Sequence, residues 1–445
     1  MKTRIGKVFS SAALLLCVVA MSLLTSCRKG ESADAEDLLS TVPSGASMVA
    51  VVNIPRILDN AGCEVDGSKI LAGPEAKAYI EKNLKGKDLA RFAKVLDGES
   101  GIEPSVAVVF MQGGYTYMAG MLADADKFKK FCKENMAAGD FTTKGDVEVL
   151  QNIAVIGTRF WVSGSNSIDP QTVASFTKLS DKTSFLSNSY AERLMKVEEA
   201  VEGWANISGL MNLADIDFQQ KAVTQMAIQT IYKDAQDLAF SVDFEKNEAE
   251  MKMMVLNSKE KPAEVLFPVE KIDTRQVSSL GGDCNLISAF AISQKGIKKI
   301  TEAVSGNGVS MLSLYLKPFA CVDGTIAAAI GDTNTEIKGF ISTTGEDTQV
   351  LSDLMSSEMG IKVTRNGKTL DFSKGGAVKG ALTVTEAAEL MKGSMFAIVA
   401  SEKSSTGFSK AALLLKPEDG SLEIEAKMIG KKGENFLIQA MKAAK

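Results

Sequence analysis

Apolar and polar residues alternate with period two in two pairs of short runs, and this narrows what the 445-residue chain can fold into more than any other feature. In the first pair, Leu238 to Phe244 is followed by Ala249, Met251, Met253 and Val255. In the second, Ala412 to Leu415 is followed by Leu422, Ile424, Ala426 and Met428. Period two sends alternate side chains to opposite faces of a strand. Each pair therefore predicts an antiparallel hairpin with its apolar face buried and the other wet.

The two hairpins close two stretches of chain that run in the same order. One opens at Val42–Pro55 and the other at Leu280–Ser293. Each has a turn and then a strand-length apolar run with β-branched residues. Asn53 before Ile54-Pro55 caps a helix in the first; Ser293 caps Gln294 to Val304 in the second, with Gly306 just past its end. In the first stretch, Ser105 to Met111 and Tyr115 to Leu122 read as strands around Gly113-Gly114. A helix follows from Asp124 with Phe128, Phe131 and Cys132 on one face, then strands at Val147 to Leu150, Ile153 to Ile156 and Phe160 to Ser163. The second stretch has strands at Gly324 to Ile330 and Glu336 to Ser342, a helix near Thr348 to Met359 and a hairpin about Asn366-Gly367. Leu194-Met195-Lys196 and Leu390-Met391-Lys392 each close a helix, before strands at Trp204 to Leu210 and Phe396 to Ser401. The first stretch adds a helix with a Val223, Met226, Ala227, Ile231 stripe. Residues 258–278, with Pro262 and Pro268, read as a connector. The expected fold is α+β: two tandem related halves, 39–270 and 271–445, each a mainly antiparallel sheet with helices packed on it.

The N-terminus carries an address. Lys2, Arg4 and Lys7 precede an apolar run from about Val8 to Leu24, and the run ends in Leu24-Thr25-Ser26-Cys27. This order marks residues 1–26 as a secretory signal peptide. Its end resembles the lipobox of bacterial lipoproteins. The resemblance implies cleavage before Cys27, lipid on that residue, and a membrane anchor. Residues 27–38 are small, polar and charged, so a flexible tether is expected. Acidic residues here resemble surface-export signals, although Arg28 and Lys29 come first. The expected location is the bacterial cell envelope, at the outer membrane facing the periplasm, with surface exposure as the alternative. The run Val42-Pro43-Ser44-Gly45-Ala46-Ser47-Met48-Val49-Ala50-Val51-Val52-Asn53 resembles the opening of a group of envelope lipoproteins of unknown function. That resemblance implies a large α+β domain and carries no catalytic residues.

Composition excludes several chemistries. The chain has no histidine, which removes His bases, His-dependent triads and His-ligated metals. Its net charge is −5, and loss of Lys2, Arg4 and Lys7 with the signal takes it to about −8. Nucleic acid is thus not an expected partner. Aromatic residues make up only 6%, which leaves few rings to stack on sugars. The 20 methionines suit core filling or an adaptable apolar site. In an oxidising compartment Cys63, Cys132, Cys284 and Cys321 could pair, most simply as Cys63–Cys132 and Cys284–Cys321, or stay as buried thiols. Their spacing fits no zinc site.

Short motifs add little. Gly367-Lys368-Thr369 lies in a hairpin pattern, and the glycine before it, Gly360, sits at the wrong spacing for a phosphate loop. Ser175-Phe176-Thr177-Lys178 matches S-x-x-K without the companion elements. Asp124-Ala125-Asp126 and Asp97-Gly98-Glu99 do not continue into a calcium loop. Glu198, Glu199 and Glu202 read as a solvated helix face. No cofactor, metal or catalytic residue is assigned. The function expected is non-catalytic binding or scaffolding: the membrane is held through lipid on Cys27, and an envelope protein or apolar ligand is the partner. Two other readings stand beside it, a His-free hydrolase using carboxylates or Ser-Lys, and a carrier of an apolar ligand. An exposed apolar patch favours partner binding, a pocket with two carboxylates the hydrolase, and a dry Met- and Phe-lined cavity the carrier.

Overall fold

Strands form where the alternating runs lie, and each half is organised about one strand with partners on both edges. The computed structural model describes residues 31–135, 139–213, 218–306, 317–332, 335–357, 359–401, 408–431, 433 and 435–443. Among them are 14 α-helices and an antiparallel sheet system, an α+β architecture. The chain divides into two compact units. The first is Met1–Asp215, Ala239–Ala249 and Gly430–Lys445; the second is Ile216–Leu238 and Glu250–Ile429.

In the first unit, α1 (Glu31–Leu39) precedes β1 (Met48–Asn53) and α2 (Ile54–Asn60). A small hairpin of β2 (Cys63–Asp66) and β3 (Lys69–Ala72) follows, then α3 (Pro74–Asn83) and α4 (Lys87–Leu96). The sheet continues with β4 (Ile102–Gln112), β5 (Tyr115–Leu122), α5 (Ala125–Asn135), β6 (Thr142–Lys144), β7 (Val147–Leu150), β8 (Ile153–Ile156) and β9 (Arg159–Ser163). Helices α6 (Pro170–Phe176) and α7 (Ala191–Met195) lead to β10 (Val201–Asn206) and α8 (Ile207–Leu213). Helix α9 (Phe218–Ile231) belongs to the second unit, and β11 (Ala235–Phe244) and β12 (Glu248–Asn257) each pass from one unit into the other.

The second unit continues with α10 (Thr274–Ser278), β13 (Asp283–Cys284), β14 (Leu286–Ile292), α11 (Gln294–Gly306), β15 (Val322–Ile330) and β16 (Ile337–Thr343). Then come α12 (Gln349–Ser357), β17 (Lys362–Asn366), β18 (Thr369–Lys374), β19 (Leu382–Thr383), α13 (Val384–Leu390), β20 (Phe396–Ser401), β21 (Phe408–Glu418) and β22 (Ser421–Gly430). The last helix, α14 (Phe436–Ala443), lies in the first unit. There Leu437 and Ile438 join the core and Phe436 stacks on Phe244 at 6.4 Å. The connector expected at 258–278 lies inside the second unit.

Strand pairing follows one order in each half. β1 pairs with β4 and β10, so that Val49 faces Phe110 on one side and Trp204 on the other. Beyond β4 come β5, β9 and β8. β14 pairs with β15 and β20, and Ile287 faces Ala329 and Val399. Beyond β15 come β16, β18 and β17. β10 leads to the β11–β12 hairpin, and β20 to the β21–β22 hairpin. The register shifts before Ala107 in β4 and before Ile326 in β15. Ser47 N donates to Met111 O and its carbonyl accepts from Asn206 N; Asn285 does the same with Ile330 O and Ser401 N. Helix α1 packs on α7, and α10 on α13.

Local signals explain the elements. Asn53 accepts from Arg56 N, with Pro55 in the first turn of α2. Asp124 Oδ1 accepts from Asp126 N and Lys127 N ahead of α5, which buries Phe128, Phe131 and Cys132. Of the stripe expected on α9, the side chains of Val223, Met226 and Ala227 lie outside the described residues.

Three expectations are corrected. The tether expected at 27–38 is helical from Glu31. Ala35, Leu38 and Leu39 stand at i, i+3 and i+4, are fully buried, and dock α1 while Arg159 Nε donates to Asp37 at 2.7 Å. Strand β10 ends at Asn206, short of the expected Leu210, because the Asn206 side chain accepts from Gly209 N and opens α8. Glu202 is no solvated helix residue. It is buried on β10 and accepts from Arg193 Nε at 3.2 Å and Glu198 N at 3.3 Å.

Of the two readings of the cysteines, the structure has the buried thiols: Cys63, Cys132, Cys284 and Cys321 are free and buried. Cys284 and Cys321 belong to different cores. Consecutive β14 residues feed those cores, Ala291 the first and Ile292 the second, so they lie on opposite sheet faces. Burial pushes the Cys132 thiol up to about 12 and the Cys284 thiol to about 11. Apolar packing, not redox pairing, accounts for all four.

Docking of α1 has a measurable consequence. Leu38→Ala should destabilise the folded chain by about 2–5 kcal/mol, as for other buried leucines. Denaturant unfolding checks this; an unchanged midpoint would restore the free tether.

Candidate functional site

Strand β12 carries Glu248-Ala249-Glu250-Met251-Lys252, and β22 carries Glu423-Ile424-Glu425-Ala426-Lys427. This shared Glu-x-Glu-x-Lys pattern puts charges on one face of each strand. The charges meet in the second unit. Lys427 Nζ is 2.7 Å from Glu250 Oε1 and 2.8 Å from Glu425 Oε1. Lys252 Nζ is 2.7 Å from Glu250 Oε2, and Lys416 of β21 also pairs with Glu425. Glu425 is only 1% exposed. A buried carboxylate is tolerable only with close counter-charges, which the lysines supply.

These contacts fix the opposite face. Because Glu250, Lys416, Glu425 and Lys427 share one side, their sequence neighbours project from the other. That side carries Met251 and Met253 of β12, Leu413 and Leu415 of β21, and Ile424, Ala426 and Met428 of β22. The β20–β21 register extends it, with Leu415 opposite Phe396 and Leu413 opposite Ile398. Phe396 in turn faces Phe290 of β14, their rings edge to face at 6.5 Å. The face is half open: Leu413 is 39% and Met428 40% exposed, and Met251, Met253, Phe290 and Phe396 are half-buried. The hairpins were expected to bury this side and wet the charged one. Here Glu425 is buried and Met428 exposed, because the lysines neutralise carboxylates that water would otherwise have to solvate.

Electrostatics describe a settled network. Burial pushes the Glu250 carboxyl up, but its hydrogen bonds with Glu425, Lys252 and Lys427 outweigh that and hold it at about 2. Burial pushes the Lys427 ammonium down, and hydrogen bonds to Glu250 and Glu425 override it and raise it. Glu250 and Glu425 are two carboxylates brought together, the arrangement that the hydrolase reading required. A general acid, however, must hold its proton near the working pH, and Glu250 does not.

The other sequence candidates stay apart. Ser175 Oγ donates to Thr172 O at 2.6 Å on exposed α6, and Lys178 lies past the helix end, so no Ser-Lys pair forms. Gly367 takes φ +61° in the β17–β18 turn, where Asn366 faces Thr369. In the first unit, two open grooves of about 370 and 430 Å³ share Glu75 and Asn435. Tyr79, Lys82 and Asn83 line one, and Asp59, Asn60 and Lys246 the other; both are open, and neither is lined by Met or Phe. Cys27 lies outside the described residues. Among those residues no group of three or more Cys, Asp or Glu could hold a metal ion, and no helix is long and apolar enough to cross a membrane.

Removing the network's anionic centre should show in acid. The folded pKa of Glu250 lies below its unfolded value of about 4.3. Its contribution to stability is therefore full above that value and lost as pH falls through about 2. Glu250→Gln should lower the denaturation midpoint at neutral pH, and the gap from the parent chain should close between about pH 5 and pH 2. A gap that ignores pH would remove the charge argument.

Comparison with known proteins adds no family. No family model matches the chain, and no curated protein matches it. Solved structures of TP0453 match loosely. Crystal form I shows 9% identity and a TM-score of 0.29, covering 80% of this chain and 96% of that one. Form III shows 8% identity and a TM-score of 0.29, over 79% and 96%. Form IV shows 10% identity and a TM-score of 0.30, over 51% and 83%. Likeness at that level carries no argument about fold or function.

Proposed function

We propose that this chain is a lipid-anchored envelope protein that works by binding and not by catalysis, and that the half-open apolar face of β12, β20, β21 and β22 is its binding surface. One observation carries the reading: apolar side chains stand exposed on the face whose reverse hides ion-paired charges. Water alone favours the opposite arrangement. Contiguous exposed apolar surface marks interaction sites, and methionine adapts to varied partners. The partner is an envelope protein or an apolar ligand, met at the outer membrane on the periplasmic side. The anchor rests on the basic, apolar and Leu24-Thr25-Ser26-Cys27 order of the N-terminus. The common pairing order around β1 and β14, and the repeated Glu-x-Glu-x-Lys, support the further reading that the halves arose by duplication.

Cys27→Ala should abolish palmitate labelling and membrane fractionation; a labelled variant would end the anchor reading. Separately, Leu413→Glu with Met428→Glu should leave the unfolding midpoint nearly unchanged, both side chains being well exposed. The same pair should abolish recovery of the cross-linked partner. Recovery of lipid, not protein, on the parent chain would select the carrier form. Undiminished recovery by the variant would move the site elsewhere.

A further inference from the structure

Helix α4 is amphipathic, with a half-buried apolar stripe, of which Leu96 packs against the core of the first unit, and exposed cations on the far side. Leu89, Phe92 and Leu96 fall at i, i+3 and i+7, opposite Lys87, Arg91 and Lys94. The one buried residue of the helix is Val95, on the flank of that stripe, while Leu89 and Phe92 are half-buried. By contrast α5, of similar length, buries both of its phenylalanines. Strand β3 neighbours α4, and its Leu71 is 53% exposed. Charge is biased here too. Residues 74–96 hold six lysines or arginines against three carboxylates, in a chain of net charge −5. The segment 61–101, between α2 and β4, is also much longer than 307–321, which stands between α11 and β15.

The exit of the N-terminus lies close by. Helix α1 packs on β4, and the Asp34 charge in its first turn acts on Glu103 at the start of β4. Helix α4 runs into that same end of β4 through residues 97–101. Cys27 is four positions before Glu31, so the two Cα atoms are at most about 15 Å apart. A lipid on Cys27 would hold this end of the first unit against the bilayer.

We infer that α4 and Leu71 form a membrane-contact surface for an anionic lipid bilayer, with the exposed Lys85, Lys87 and Arg91 meeting lipid phosphates and the exposed Leu71 of neighbouring β3 entering the headgroup boundary. Clustered lysines and arginines held at an anionic membrane surface are a known physical form of such contact. The inference rests on the anchor reading for its geometry, but its chemistry can be tested without the anchor.

The purified Cys27→Ser chain, which carries no lipid, should co-sediment with vesicles of phosphatidylglycerol and phosphatidylethanolamine and release as salt rises. It should bind phosphatidylcholine vesicles far less. Lys87→Glu with Arg91→Glu should weaken anionic-vesicle binding by at least about twenty-fivefold, at about fivefold for each of the two cations lost from the surface. Leu71→Glu, a single exposed site chosen to spare the fold, should weaken it as well, while Val350→Glu, at an exposed site of α12 in the second unit, should not. Equal binding to both vesicle types, or binding that none of these α4 and β3 variants alters, overturns the surface. So does absence of vesicle binding with α4 cross-linked to a protein instead. Palmitate labelling of the parent chain reports the anchor by itself, so loss of labelling with vesicle binding intact would fault the anchor and not α4.

Discussion

A strand paired on both edges and covered on both faces is the constraint from which the rest of each half follows. β1 buries five of its six residues, from Val49 to Asn53, and its backbone finds partners in β4 and β10. Buried N–H and C=O groups left unpaired would be costly, so two neighbours are obligatory. Both faces then need apolar cover. Helices α1 and α7 lie on one side and α2 and α5 help close the other; β14 imposes the same demand, met by α10 and α13 opposite α11 and α12. The common pairing order about β1 and β14 is thus a matter of backbone accounting.

Away from those central strands the cover thins, and chemistry takes over from packing. On β12, β21 and β22 the carboxylates of Glu250 and Glu425 are ion-paired with Lys416 and Lys427. Buried ion pairs seldom add net stability, because desolvation offsets the attraction. Their value here is geometric. They fix which side of three strands is closed, and so fix Leu413, Met428 and the half-buried methionines on the open side. The binding surface proposed above rests on that asymmetry.

The first unit carries the other half of the functional argument. Docking of α1 converts what composition describes as a spacer into part of the body. An anchor at Cys27 would therefore hold the protein closely, with α4 and its cations beside the point of attachment. Binding near a membrane then depends little on diffusion of a long tether and more on which surfaces the bilayer leaves free.

Much of the architecture was legible in the sequence because it rests on local periodicity. The alternation in β11, β12, β21 and β22, the Asn53 and Asp124 caps and the Asn366-Gly367 turn each depend on neighbours within a few residues. What the chain alone left open depends on contacts distant in sequence. Ala35, Leu38 and Leu39 make a helical stripe, but only the presence of β4 and α7 decides that it docks. Cysteine spacing allowed disulfides, and only the opposite sheet faces holding Cys284 and Cys321 forbid one between them. The Glu-x-Glu-x-Lys repeats were visible, yet sequence placed them in water. Tertiary pairing of β12 with β22 brought lysines to carboxylates, and a neutralised charge can be buried where a free one cannot.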